Sequence, residues 1–238
     1  MPSAVSPKQT HKNRVLASLP PADIRSLSPD LVPITLKMKQ SLHEPGELIE
    51  TVYFLEDAIA SVVITMENGS TVEVGLIGRD GVVGLPAVIG SGCATNRTFI
   101  QLPGSGFSLK AKILRELAES SGELRSCLHL AIQGYLAQTA QTAACNRVHE
   151  LEERLARWLL MCSDRLQSDH IPITHEFLAM MLGTRRSSVS IAAGILHKSG
   201  LIAYPRGSVT IKDRSGLANA ACECYQSVYE EYVRLGLL

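Results

Sequence analysis

The stretch from Ile173 to Ile202 constrains the fold more than any other part of the chain. Thr174 is a favourable N-cap, and Phe177, Leu178, Met181 and Leu182 follow at helical spacing on one face. Gly183 stops that helix, because a glycine just past the last periodic residue suits a left-handed turn. Thr184 is then placed to cap a second helix that buries Val189, Ala192, Ala193 and Leu196. The exposed opening turn of this second helix carries Arg185, Arg186, Ser187, Ser188 and Ser190. Arginine can bond both acceptors of a guanine edge, while hydroxyls and helix-terminal amides bond phosphate. A helix, tight turn and helix of this chemistry suit the DNA major groove.

The segment that follows has matching chemistry. Leu201–Tyr204 and Ser208–Ile211 are short β-prone runs separated by Pro205-Arg206-Gly207, which predicts a hairpin or wing. From Thr184 to Arg214 the basic residues Arg185, Arg186, Lys198, Arg206, Lys212 and Arg214 face one acid, Asp213, although the chain's formal net charge is zero. Positive charge gathered on one element is the footprint of phosphate binding.

This segment resembles the winged helix-turn-helix of the cyclic-AMP receptor and fumarate-nitrate regulator (Crp/Fnr) superfamily. The likeness rests on Ile173-Thr174 opening the first helix, Gly183 in the turn, an early arginine in the recognition helix, and Gly200-Leu201-Ile202 before the wing. In that family the base-reading positions commonly hold arginine, glutamate and arginine. By register they fall here on Arg186, Ser187 and Ile191, so only the first is kept and a different operator is expected. Thr174 and Ser188 match positions the family uses for phosphate. The candidate base readers are Arg185, Arg186, Ser187 and Ser190, and the candidate phosphate ligands are Thr174, Ser188, Arg206 and Lys212.

Residues 13–121 are expected to form a sensor domain. Residues 1–12 are expected to be disordered, and Asn13–Leu27 suggests two short helices around Pro20-Pro21. The runs Val32–Leu36, Val52–Leu55, Ala60–Thr65, Thr71–Ile77 and Thr98–Leu102 read as short strands of a sandwich or roll, with Asn68-Gly69 as the strongest hairpin signal. Pro45-Gly46, Tyr53-Phe54-Leu55 and Val74–Gly81 resemble the jelly-roll sensor of the same superfamily. The implied fold class is α+β: a double-stranded β-helix of cyclic-nucleotide-binding type, a long dimerisation helix and a winged helix-turn-helix.

Cyclic-nucleotide binders in the family offer a Gly-Glu-Leu carboxylate to the ribose and an Arg-Ser or Arg-Thr pair to the phosphate. Here the stretch reads Gly81-Val82-Val83-Gly84-Leu85, without the carboxylate, and Arg97-Thr98 is a candidate for the phosphate pair whose register across Ser91-Gly92-Cys93 is open. Losing a ribose partner at a buried site costs on the order of 1–3 kcal/mol. Val82, Val83, Gly84, Leu85, Arg97 and Thr98 are candidate lining of an effector pocket that is apolar, empty or holds something else, with a cyclic nucleotide as the less favoured alternative. An iron–sulfur cluster needs four thiolates, and no cysteine precedes Cys93. His43 or Cys93 could ligate a haem, but a single His or Cys is more often structural, and the cofactor is left unknown.

Beyond the roll, Glu123–Ala144 is a long helical run with Leu124, Leu128, Ala131 and Tyr135 on one stripe, expected to pair with a second copy over residues 122–146. Packing of that stripe on the sensor domain is the simpler alternative. A hinge is expected near Cys145-Asn146-Arg147, then the DNA-binding domain over 147–214 with Trp158 in its core, and an added helix over 215–238. Cys222 and Cys224 are too few to hold a metal by themselves, and no metal site is expected. The six cysteines lack the dense spacing of a disulfide scaffold, and the absence of a long apolar run leads us to expect a cytoplasmic protein without membrane contact. No Gly-rich phosphate loop, nucleophile elbow or metal-spaced histidine pair points to catalysis. The expected function is a homodimeric regulator of transcription on double-stranded DNA, with an unknown small-molecule effector and RNA polymerase as a candidate partner. A nucleotide-binding-like module acting on a protein partner is the alternative.

Overall fold

The computed structural model describes residues 11–205 and 207–238, so most of the tail expected to be disordered lies outside the described residues. Two short helices, α1 (Arg14–Ser18) and α2 (Pro21–Leu27), lead into the roll. Asn13 anchors them: its side chain caps α1 through Leu16 N, and its amide donates to Leu55 O and Gly81 O, both at 3.0 Å. Lys12, at the end of that tail, is ordered, and its backbone amide donates to Glu56 Oε2 at 2.7 Å.

Seven strands follow: β1 (Val32–Leu36), β2 (Ser41–His43), β3 (Thr51–Leu55), β4 (Ile59–Thr65), β5 (Thr71–Ile77), β6 (Arg97–Leu102) and β7 (Gly104–Lys110), with α3 (Pro86–Ile89) between β5 and β6. They form two antiparallel sheets in the orders β1-β7-β3 and β2-β6-β4-β5. The Asn68-Gly69 hairpin forms as expected, with Thr65 opposite Thr71 and Gly69 at φ 81°. Strands β2 and β7 were not anticipated. Strand β7 opens with glycines that sequence patterning discounts, but a Cβ at Gly106 would lie 2.5 Å from Phe54 O, so the strand seats its neighbour only because the side chain is missing.

The rest of the chain is α4 (Ala111–Ser120), α5 (Gly122–Val148), α6 (Leu151–Leu166), β8 (His170–Ile171), α7 (His175–Met181), α8 (Arg186–Lys198), β9 (Ile202–Ala203), β10 (Val209–Ile211), α9 (Arg214–Ala220) and α10 (Cys224–Arg234). Helix α5 runs unbroken through the expected hinge. The break lies at His149-Glu150, where Glu150 and Glu153 form a capping box that starts α6. The C-terminal segment is two helices, α9 and α10, rather than one.

The expected pairing stripe on α5 is corrected by the structure. Leu124, Leu128 and Ala131 are at most 3 % exposed and pack in one core with Val228, Tyr232, Leu235 and Leu237. Helix α10 folds back along α5 and takes the face reserved for a second copy. Gly134 allows the approach, since a Cβ there would sit 2.9 Å from Leu237 Cδ1. Tyr135 turns into the roll, and the apolar residues left outside on α5 include Leu130 and Leu136.

The helix-turn-helix is seated on the outer face of the four-stranded sheet. One continuous core joins Ile59, Val63, Leu76, Phe99 and Leu102 of the roll to Leu155, Leu159, Phe177, Leu178 and Leu182. Trp158 is a core residue, as expected, and its Nε1 donates to Glu73 Oε1 at 2.9 Å. Ser61 Oγ lies between Glu73 and Gln101 and 3.2 Å from Met181 Sδ. A fully buried pair, Arg165 with Asp80 at 2.6 Å, ties α6 to the loop after β5. Among the described residues no helix is long and apolar enough to cross a membrane.

Candidate nucleic-acid interface and effector cavity

Helix α7 is capped by Thr174, whose hydroxyl accepts from Phe177 N at 3.3 Å and keeps its own proton free to donate. Gly183 makes the turn at φ 61°, and a Cβ there would meet Val72 Cγ2 of the roll at 3.1 Å, so both conformation and space call for glycine. The cap of α8 is Arg185, not Thr184, and no side chain caps it. The first amides of α8 are left to solvent or to an anion.

Arg185, Arg186, Ser187, Ser190, Thr174 and Lys212 are all exposed, while Ser188 is half-buried. Arg206, the remaining phosphate candidate, lies outside the described residues. Arg186 Nε is 3.7 Å from Glu176 Oε2, with both side chains in solvent. Ser190 Oγ donates to Arg186 O at 3.1 Å and lies 3.1 Å from His175 Nδ1, so its hydroxyl is already shared. His175, Tyr204 and His197 stack in a row with ring centres 5.1 Å apart, bracing α7 and α8 against the wing. This brace was not foreseen; the aromatic spacing crosses two turns. Burial, then the nearby Arg186, lowers the His175 pKa below its ordinary value. Ile191 is 66 % exposed on the same face as Arg186 and Ser187.

The roll encloses a cavity of about 220 Å³. Val82, Val83, Gly84, Leu85 and Thr98 line it as expected, joined by His43 and by Ile132, Tyr135 and Leu136 of α5. Arg97 does not line it. Adjacent residues of a strand face opposite ways, and Arg97 pairs outside with Glu44 at 3.1 Å while Thr98 points inward. Among the described residues no Asp, Glu, Lys or Arg lines the cavity. A phosphate there would lack a counter-charge in an apolar space. His43 Nε2 donates to Thr51 O at 2.9 Å, burial lowers its pKa, and Cys93 is exposed and away from the cavity lining, so neither is poised as a haem ligand.

Between cavity and reading face lies Glu73. Burial pushes its pKa up to about 7, against hydrogen bonds from Ser61 and Trp158 and the charges of Arg165 and Arg157.

Residues 153–220 match the Crp-like helix-turn-helix domain. No curated protein is similar enough in sequence to count as a relative. Among solved structures, FixK2 from Bradyrhizobium japonicum is similar over 81 % of this chain and 98 % of its own, at 17 % identity and a TM-score of 0.69. TTHB099, a CRP-family transcriptional regulator from Thermus thermophilus, is similar over 80 % of this chain and 99 % of its own, at 21 % identity and a TM-score of 0.65. The c-di-GMP-responsive global regulator CLP of Xanthomonas campestris covers 80 % of this chain and 98 % of its own, at 14 % identity and a TM-score of 0.64. Identities this low establish the shared fold.

Proposed function

We propose, from the premise that this chain is a DNA-binding transcription regulator of the Crp/Fnr superfamily, that it acts as a homodimer on an inverted-repeat operator. The observation that carries the reading is the α8 face, where Arg185, Arg186 and Ser187 stand exposed beside uncapped amides. Two such helices must reach successive major grooves about 34 Å apart. Arg186 would read a guanine, and the exposed Ile191 would contact a thymine methyl group. Thr174, Ser188, Lys212 and Arg206 would hold phosphates.

The dimer contact would use the outer face of α5, around Leu130 and Leu136, since the inner stripe is already covered. The effector would be a small, uncharged and largely apolar molecule. It would touch Ile132 and Tyr135 from inside the roll, with Leu136 at the cavity's outer rim, and so bias the same helix that pairs the protomers.

The test is helical phasing. Operator sites selected from random DNA should be inverted repeats, and inserting about half a helical turn between half-sites, roughly 5 bp, should abolish tight binding by the full-length protein. Indifference to the insertion would overturn the dimeric reading.

A further inference from the structure

At the junction of α5, α6 and the C-terminal helices the chain gathers three thiols and an imidazole that the DNA-binding reading does not use. Cys145 and His149 stand one turn apart at the end of α5, and Cys222 and Cys224 lie at the break between α9 and α10. One ligand atom from each falls within 4.8 Å of the others. Cys145 Sγ is 3.5 Å from Cys222 Sγ, and Cys224 Sγ is 3.5 Å from His149 Nδ1. The three cysteines are at most 5 % exposed. Bonds of about 2.3 Å to sulfur and about 2.0 Å to nitrogen in a tetrahedron put such donor atoms roughly 3.5–3.8 Å apart. The two separations of 3.5 Å are already of that size, the remaining ones lie within 4.8 Å, and the Cys145–Cys222 distance is far beyond the ~2.05 Å of a disulfide bond.

We infer that Cys145, His149, Cys222 and Cys224 form a structural zinc site, closed by three thiolates and one imidazole.

The surroundings have the features such a site needs. His149 Nε2 is 3.1 Å from Glu223 Oε2, so the carboxylate holds the proton on Nε2 and leaves Nδ1, the nitrogen facing Cys224, as the metal ligand. Gln141 Nε2 donates to Cys224 Sγ at 3.1 Å, a bond that steadies a thiolate. Three thiolates around Zn²⁺ leave one excess negative charge, and the cations on this side of α6 are the half-buried Arg154 and the buried Arg157, each with an Nε that has no hydrogen-bond partner. A soft, four-ligand, buried donor set selects zinc over harder divalent ions.

The position gives the site a consequence that rests on the DNA-binding reading. It clasps the C-terminal helices to the His149-Glu150 break between long helix and DNA-binding domain. From there Arg154 reaches the turn before α8, donating to Leu182 O at 2.6 Å. Loss of zinc would free α10 and loosen the seat of the recognition helix.

The experiment is metal analysis and cobalt substitution of the full-length chain, purified under reducing conditions. One equivalent of zinc per chain is expected. The apo protein titrated with Co²⁺ should develop the thiolate charge-transfer and strong visible bands of a tetrahedral site, saturating at one equivalent. Cys222→Ser and Cys224→Ser should each weaken or abolish those bands, whereas Cys93→Ser and Cys127→Ser should leave them intact. The proposal is overturned if the reduced wild-type chain gives no such bands. It also fails if the bands survive in the Cys222→Ser, Cys224→Ser double variant, or if the isolated protein is metal-free and lighter by two hydrogens through a Cys145–Cys222 disulfide. Because the wild-type titration does not require DNA, a failure of the operator experiment leaves this result untouched.

Discussion

The reading face of α8 and the cavity of the roll handle polar groups in opposite ways. On α8 the cations stand in water, ready to exchange solvent for phosphate and base edges. The cavity is walled mainly by carbon, with His43, Thr95, Asn96, Thr98 and Tyr135 as its polar side chains, the first already bonded to Thr51. The first surface selects by charge and hydrogen-bond pattern, which survive many small movements. The second could select only by shape, which is transmitted through packing. If the cavity takes the proposed effector, the signal would have to pass through contacts such as Tyr135 of α5 and the seam around Glu73 that separates the two regions.

The largest expected effect comes from removing the support beneath α5. Leu128→Ala should cost about 2–5 kcal/mol of protomer stability in denaturant unfolding, because a buried leucine leaves a cavity. Leu136→Ala, at an exposed site, should fall within about 0.5 kcal/mol. Equal losses would show that the two faces of α5 are not as unlike as described.

Next comes the seam. The folded-state pKa of Glu73, about 7, lies above its value of 4.5 in an unfolded chain. The folded protein therefore binds the proton more tightly. The associated stability is complete below about pH 4.5 and is lost as pH rises through 7. Glu73→Gln, which keeps the shape and cannot ionise, should be more stable than wild type at pH 8, by on the order of 1–3 kcal/mol, with the gap shrinking at pH 5. Arg165, Arg157, Tyr135 and Cys162 face this carboxylate and are unchanged in the variant. A constant difference across that range in urea melts would show that Glu73 is not the titrating group.

On the reading face, Arg186→Ala should weaken operator binding by ~1–3 kcal/mol and relax preference at one symmetric base pair. Lys212→Ala should weaken all sequences alike and reduce the salt slope by about 1. If both variants lose affinity uniformly, the face does not discriminate bases through Arg186.

The smallest effect belongs to Glu176. Its exposed pair with Arg186 has to open before the arginine meets DNA, so Glu176→Ala should tighten low-salt binding by at most about fivefold. Weaker binding in an anisotropy titration would mean that Glu176 positions the arginine instead.

How much of this was legible from sequence follows from how far apart the interacting residues lie. The helix-turn-helix is written locally: a cap at Thr174, a glycine at 183 and apolar residues three and four apart. The Asn68-Gly69 hairpin is equally local. The inward turn of Leu124 and Leu128 was not legible, because an apolar stripe does not say whether α10 or a second copy covers it. Arg97 was misplaced by a one-residue question of register, which in a strand reverses the side a residue faces. The thiol cluster joins residues 77 positions apart in Cys145 and Cys222, so each cysteine pair looked insufficient by itself.

The length of α5 sets how finely this protein must be built. Its 27 residues make a rod of about 40 Å, so a tilt of roughly 10° at the roll would carry the far end about 7 Å sideways. Against the spacing of adjacent major grooves that is a miss of about a fifth. In the proposed dimer a helix of this length would act as a lever, so that a small tilt where it leaves the roll would decide whether the two recognition helices meet successive grooves or miss them.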